Sequence, residues 1–342
     1  MAGVSCVDCV GPAFSLMRKR LFQPFRLGYW SRIAVLGVFA GELSSNSGGS
    51  HRSGQSGAMH RIPPSFPHGL HSPWIAQHWH IVLGAIGVAV FISLLFFYIS
   101  SVLRFVLYEA VLRDKARIRE GFVRWSDQGF EYFAFRLVVV IPYVVLSIYL
   151  VGLPLLKVIR AGGGGPEILS TLVQLAGAVV AVGLVGILVT VVMVMTKDFV
   201  VPQMMFEGVS CTEGWGRLWG RIAAEPGSFI GYILLKIVMA IGAFVAYAVA
   251  LVITVMILAI PVGLAIAAGV VAFKMAGGSP LAAVPAILLA VLLGIPSVLY
   301  FIGFLGAPIT VFFPAYSIYY FAGRYKPLYD ELYAQPPADR PL

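Results

Sequence analysis

The stretch Ile81 to Val102, IVLGAIGVAVFISLLFFYISSV, decides the fold class. It holds 22 residues without a charge, and a helix needs about 20 mostly apolar residues to cross roughly 30 Å of hydrocarbon. A membrane β-strand would show about 10 residues of strict alternation, which this run lacks. A helix is then the remaining way to satisfy every backbone group in lipid. Working outward, the runs Phe133 to Leu156, Ile168 to Met195, Phe229 to Ile260 and Leu281 to Leu305 are also long enough to span. The run Leu27 to Leu43 is weaker. Its charge-free centre, Ile33 to Gly41, crosses only if Arg32 and Glu42 reach back to the two interfaces.

Composition agrees with this reading. Hydrophobic residues make up 59% of the chain and charged residues 11%, against about half and a quarter in soluble domains. The net charge of +9 would suggest nucleic acid in a soluble protein. Here the basic residues flank apolar runs and form no separate domain, so orientation in the membrane explains them and no nucleic-acid partner is expected. Placing both termini in the cytoplasm puts nineteen of the 24 Lys and Arg residues inside, leaving Arg52, Arg61, Lys157, Arg160 and Lys274 outside. That asymmetry predicts six spans in a cell inner membrane. The expected organisation is an amphipathic cytoplasmic segment over 1–26, a transmembrane domain over 27–322 with an external loop at 44–80, and an amphipathic tail over 323–342. The N-terminus reads as retained, since no small-residue cleavage site follows its first apolar run. Pro261, Pro308 and Pro314 mark expected breaks in the last two long runs.

An internal repeat is visible. Gly28-Tyr-Trp-Ser-Arg32-Ile, Tyr132-Phe-Ala-Phe-Arg136-Leu and Tyr232-Ile-Leu-Leu-Lys236-Ile each place a cation one turn inside an odd-numbered span. Phe105-Val-Leu-Tyr108, Phe199-Val-Val-Pro202 and Val311-Phe-Phe-Pro314 close the even-numbered ones. The unit is a helical hairpin, and the expected fold is all-α: a polytopic transmembrane helix bundle of three repeated hairpins linked by interfacial amphipathic helices. Four apolar stripes at helical spacing mark those linkers. They are Phe14, Met17, Leu21 and Phe25; Ile118, Phe122 and Trp125; Trp215, Leu218, Trp219 and Ile222; and Tyr325, Leu328, Tyr329, Leu332 and Tyr333. Such stripes suit either the headgroup plane or packing on the bundle's own loops.

Several of these segments carry a resemblance. The stretch Asp198-Phe-Val-Val-Pro202-Gln-Met-Met-Phe-Glu-Gly208, then Trp215 and Trp219, Phe229 to Lys236, and Pro308-Ile-Thr-Val-Phe-Phe-Pro-Ala-Tyr316 form one set. Together with Pro24-Phe-Arg-Leu-Gly-Tyr-Trp-Ser-Arg32 they resemble uncharacterised bacterial six-helix membrane proteins related to the membrane domain of glycerophosphodiester phosphodiesterases. The resemblance implies the bundle and no catalytic residue. His51-Arg52 and His60-Arg61 echo a phosphodiesterase active-site start, but they sit in a Gly/Ser loop without strand signals.

All six histidines fall in the external loop or at its end. Among them His68, His71, His78 and His80 are candidate metal ligands, with His78-Trp-His80 placing two imidazoles close together. The loop has no Cys or acid between Leu43 and His80, so a mobile loop that binds metal weakly or not at all is the competing reading, and no cofactor is expected. Cys6-Val-Asp-Cys9 has redox spacing without a second pair or a βαβ context. Gly162 to Gly165 is a turn, since no strand precedes it and no Gly-Lys-Ser/Thr follows. Arg32, Arg136 and Lys236, at equivalent places in the repeat, are candidates for a ring that holds a lipid headgroup or phosphate, with interface anchoring as the alternative. No acidic or histidine chain lies at mid-membrane. The expected role is non-enzymatic: organising membrane lipid, or a membrane protein partner or second copy of the chain, through the interfacial helices. The alternatives are a transporter or lipid-handling protein using the last two spans, and an accessory subunit of a larger membrane complex.

Overall fold

The computed structural model describes residues 5–41, 79–113, 117–160, 168–275 and 280–333. The elements are α1 Val10–Phe22, α2 Leu27–Phe39, α3 Trp79–Arg113, α4 Ile118–Arg124 and α5 Ser126–Ser147, the last continued by a π-helical turn Ile148–Gly152 and α6 Leu153–Arg160. Next come α7 Ile168–Met195, a second π-helical turn Thr196–Val200, α8 Val201–Glu207, α9 Cys211–Ala224, α10 Pro226–Met275, α11 Pro280–Ala322 and α12 Lys326–Tyr333. No strand occurs among the described residues. The fold is an all-α membrane helix bundle.

Among the described residues, five helices are long and apolar enough to cross a membrane: 79–113, 126–156, 170–207, 226–257 and 300–322. The first apolar run is shorter than expected. Helix α2 has 13 residues, about 20 Å at 1.5 Å per residue, and residues 42–78 lie outside the described residues. It runs antiparallel to α3, for Tyr29 Oη donates to Ala110 O at 3.0 Å and Phe39 stacks on Phe96 with centroids 6.2 Å apart. The expected breaks at Pro261, Pro308 and Pro314 are absent: α10 and α11 continue through them over 50 and 43 residues. A proline removes one helical hydrogen bond and neighbouring turns can absorb it.

The helices pack at one end and splay at the other. In α3 the buried residues are Ser101 to Val111, whereas Ile81, Phe91 and Phe96 are exposed. The middle apolar windows of α5 and α10 bury nothing inside the protein, and α11 is the exception, its window being 61% buried. Lipid is as apolar as these side chains, so burial alone gives them no reason to meet. At the packed end an aromatic core of Phe199, Phe229, Tyr232, Tyr316, Tyr320 and Phe321 gathers the ends of α7, α10 and α11.

The amphipathic helices lie at this end. Arg20 Nη2 donates to Leu112 O at 2.8 Å and Arg113 pairs with Glu331 at 2.8 Å, so α1 and α12 both meet the end of α3. The stripes differ in detail from the expected ones. On α1 the inward face is Ala13, Met17 and Leu21, while Phe14 is exposed, as is Phe25 in the turn after the helix. On α9 Leu218 is buried and Trp219 exposed, and on α12 Leu328 is buried and Tyr329 exposed. The core takes the residues that fit its helix crossings and leaves the larger rings outside.

Candidate functional site

The hairpin-closing motifs converge on a charged pocket. It is a small cavity of about 10 Å³, lined by Arg104, Leu107 and Tyr108 of α3, Lys197 and Asp198 of the π-helical turn, and Pro314 and Ser317 of α11. Arg104, Asp198 and Thr310 each stand immediately before a closing motif, and all three are buried. Arg104 and Asp198 reach the pocket, whereas Thr310 faces Gly37 of α2 and donates to Gly306 O.

Asp198 is its centre. Its Oδ2 accepts from Tyr232 Oη at 2.9 Å and from Lys236 Nζ, and Lys236 and Asp198 are 5% and 2% exposed. A buried carboxylate beside a cation and a phenol needs no water to be satisfied. The Tyr232 ring is held between Tyr316, stacked with centroids 5.2 Å apart, and Tyr320 at 4.5 Å. A π-helical turn inserts one extra residue into the helix and is a common feature of functional sites. Here it carries both Lys197 and Asp198 inward, and Trp215 of α9 anchors it by donating Nε1 to Thr196 Oγ1 at 2.9 Å. Arg104 donates to Ala40 O, capping the end of α2. The Ser317 hydroxyl donates to Pro314 O at 2.8 Å, and buried Tyr108 Oη beside it has no partner of good geometry among the described residues.

A second buried acid locks the amphipathic layer to α3. Glu109 accepts from Arg124 at 2.7 Å and from Trp125 Nε1 at 2.8 Å. Around it Glu207 accepts from Tyr325 Oη at 2.6 Å and from Arg217, and Arg324 Nη2 donates to Ser228 Oγ at 2.6 Å. These contacts hold α4, α8, α9 and α12 to the ends of the spans.

Residues 4–330 match a family of unknown function, DUF7544. The chain belongs to that family. No curated protein and no solved structure matches it.

In this DUF7544 member the three repeat cations have different surroundings. Arg32 is exposed on α2, Arg136 is half-buried against α3, and Lys236 is fully buried in the Asp198 pair. His68, His71 and His78 lie outside the described residues, and His80 is exposed in the first turn of α3. Among the described residues no group of three His, Cys, Asp or Glu residues is gathered as a metal site would need. Cys6, Cys9 and Cys211 are thiols rather than disulfide partners. Lys197 and Asp198 follow the apolar run Ile168 to Met195 directly in sequence, and the π-helical turn faces both inward. The signal available was the polar residue before each closing motif.

Proposed function

We propose that this integral membrane protein is non-enzymatic and organises membrane lipid through its interfacial helices, with both termini on the cytoplasmic side of an inner membrane. One observation carries the reading: helices that bury an apolar stripe on the bundle turn a second set of aromatic residues outward. Phe14 and Phe22 are 56% and 48% exposed, Trp219 is 67% exposed and Tyr333 55% exposed. Arg18 and Lys19 are exposed on the same helix as the two phenylalanines, and Arg18 lies about 40° round the helix from each of them at 3.6 residues per turn. Aromatic rings beside cations suit the headgroup region of an anionic leaflet. The ion pairs that tie these helices to the spans hold them where the bilayer surface would lie.

Depth measurement tests this. With the protein in liposomes, nitroxide labels placed singly at positions 14, 219 and 333 should be reached by dissolved oxygen and shielded from an aqueous relaxant. Labels wholly accessible to the aqueous reagent would reject the reading.

A further inference from the structure

Among the described residues, Arg136 is a cation with no carboxylate partner. Its Nη1 donates to Ser101 Oγ at 2.8 Å and to Phe97 O at 3.5 Å, and its Cζ lies 3.8 Å from the centre of the Phe97 ring. The Tyr132 ring, at 5.5 Å, forms a second aromatic wall. Neutral acceptors and ring faces hold the group in place, but they leave its charge unbalanced and most of its five N–H donors unused.

Location says what completes it. Helix α5 begins with Ser126, Asp127 and Gln128, passes Glu131, and then becomes apolar from Leu137. Arg136 therefore stands where the chain passes from water to hydrocarbon. Phe130, Phe133 and Tyr98 form an aromatic group at this level, with centroids 5.7 to 6.4 Å apart, and Phe130 is 59% exposed, as aromatic belts are at membrane interfaces. Glu131 lies about 140° round the helix at 3.6 residues per turn, so it does not compete for the guanidinium. Arg136 is half-buried, so its guanidinium is not wholly enclosed by the protein.

We propose that Arg136 binds the phosphate group of an anionic glycerophospholipid, with Phe97 and Tyr132 as the walls that aim its fork outward. The planar guanidinium matches two phosphate oxygens, which a lysine ammonium does not. This deepens the lipid-organising reading and rests on it for the membrane level of α5. Lys236, its equivalent in the repeat, already has Asp198, so the same sequence position serves packing in one hairpin and ligand binding in another.

The test is native mass spectrometry of the full chain released from detergent after titration with phosphatidylglycerol, and separately with inorganic phosphate. Wild type should retain one lipid that Arg136→Gln binds about tenfold more weakly, the loss expected when a charged hydrogen bond of about 1.5 kcal/mol goes. Arg136→Lys keeps the charge and should bind about threefold more weakly, for loss of the fork alone. Thr190→Val, at an exposed position of α7 away from Arg136, should bind as wild type does. Equal lipid retention by wild type and Arg136→Gln overturns the proposal. Wild-type affinity in Arg136→Lys overturns it too, which decides the matter if the Gln variant does not fold. Displacement of the lipid by millimolar inorganic phosphate would assign the site to free phosphate and overturn the lipid as its ligand. None of these variants touches the labels at 14, 219 and 333, so a failed binding test leaves the depth reading standing.

Discussion

Asp198 shows how a single side chain can hold several elements. It receives Lys236 and Tyr232 from α10, while its own turn is clamped by Trp215 from α9. Removing one partner of a buried ion pair costs about 3–5 kcal/mol, because the other charge stays behind in low dielectric. Asp198→Ala should lower the thermal unfolding midpoint in detergent accordingly, and the double change Asp198→Leu with Lys236→Met should recover most of the loss. A double variant as unstable as the single would mean the pair does more than compensate charge. The cysteines behave differently. Burial pushes the Cys9 thiol up to about 11, with Arg324 pulling the other way, and burial pushes Cys211 up to about 12. Both are neutral at pH 8, and the nucleophile is the thiolate. Iodoacetamide should leave Cys9 and Cys211 unmodified in the folded protein at pH 8, and ready alkylation of either would contradict the packing around it.

At the scale of elements, the contact between α2 and α11 is set by two glycines. A Cβ on Gly303 would lie 2.6 Å from Ala34 O, and one on Gly37 would collide with the Thr310 side chain. This close approach lets Trp30 Nε1 reach Phe304 O at 2.9 Å, the small-residue packing that membrane helices favour. Gly303→Ala should cost about 1–3 kcal/mol by forcing the two backbones apart, read as a lower midpoint; an unchanged midpoint would show the contact to be loose. The amphipathic helices were legible at this scale because 3.6-residue periodicity is a property of the chain alone. Which aromatic faces inward was not. Phe14 and Ala13 are adjacent on the helix, and only the crossing of α1 on α11 decides that the smaller one goes in.

For the whole molecule, the packed end and the splayed end have different physics. Where polar groups must be satisfied the helices converge, and where both protein and solvent are apolar they need not. Since α1 and α12 share the packed end, tags on the two termini should be digested from the same face of sealed membrane vesicles, and opposite protection would refute that arrangement. Composition and run length were enough to determine an all-α membrane helix bundle, because the cost of an unpaired backbone in lipid admits little else. Only the tertiary structure decided the site. Arg32, Arg136 and Lys236 hold equivalent places along the chain, yet Lys236 meets a carboxylate and Arg136 a ring, because different side chains lie opposite them. For Lys236 that opposite group is Asp198, 38 residues away in sequence, and no local pattern encodes such a meeting.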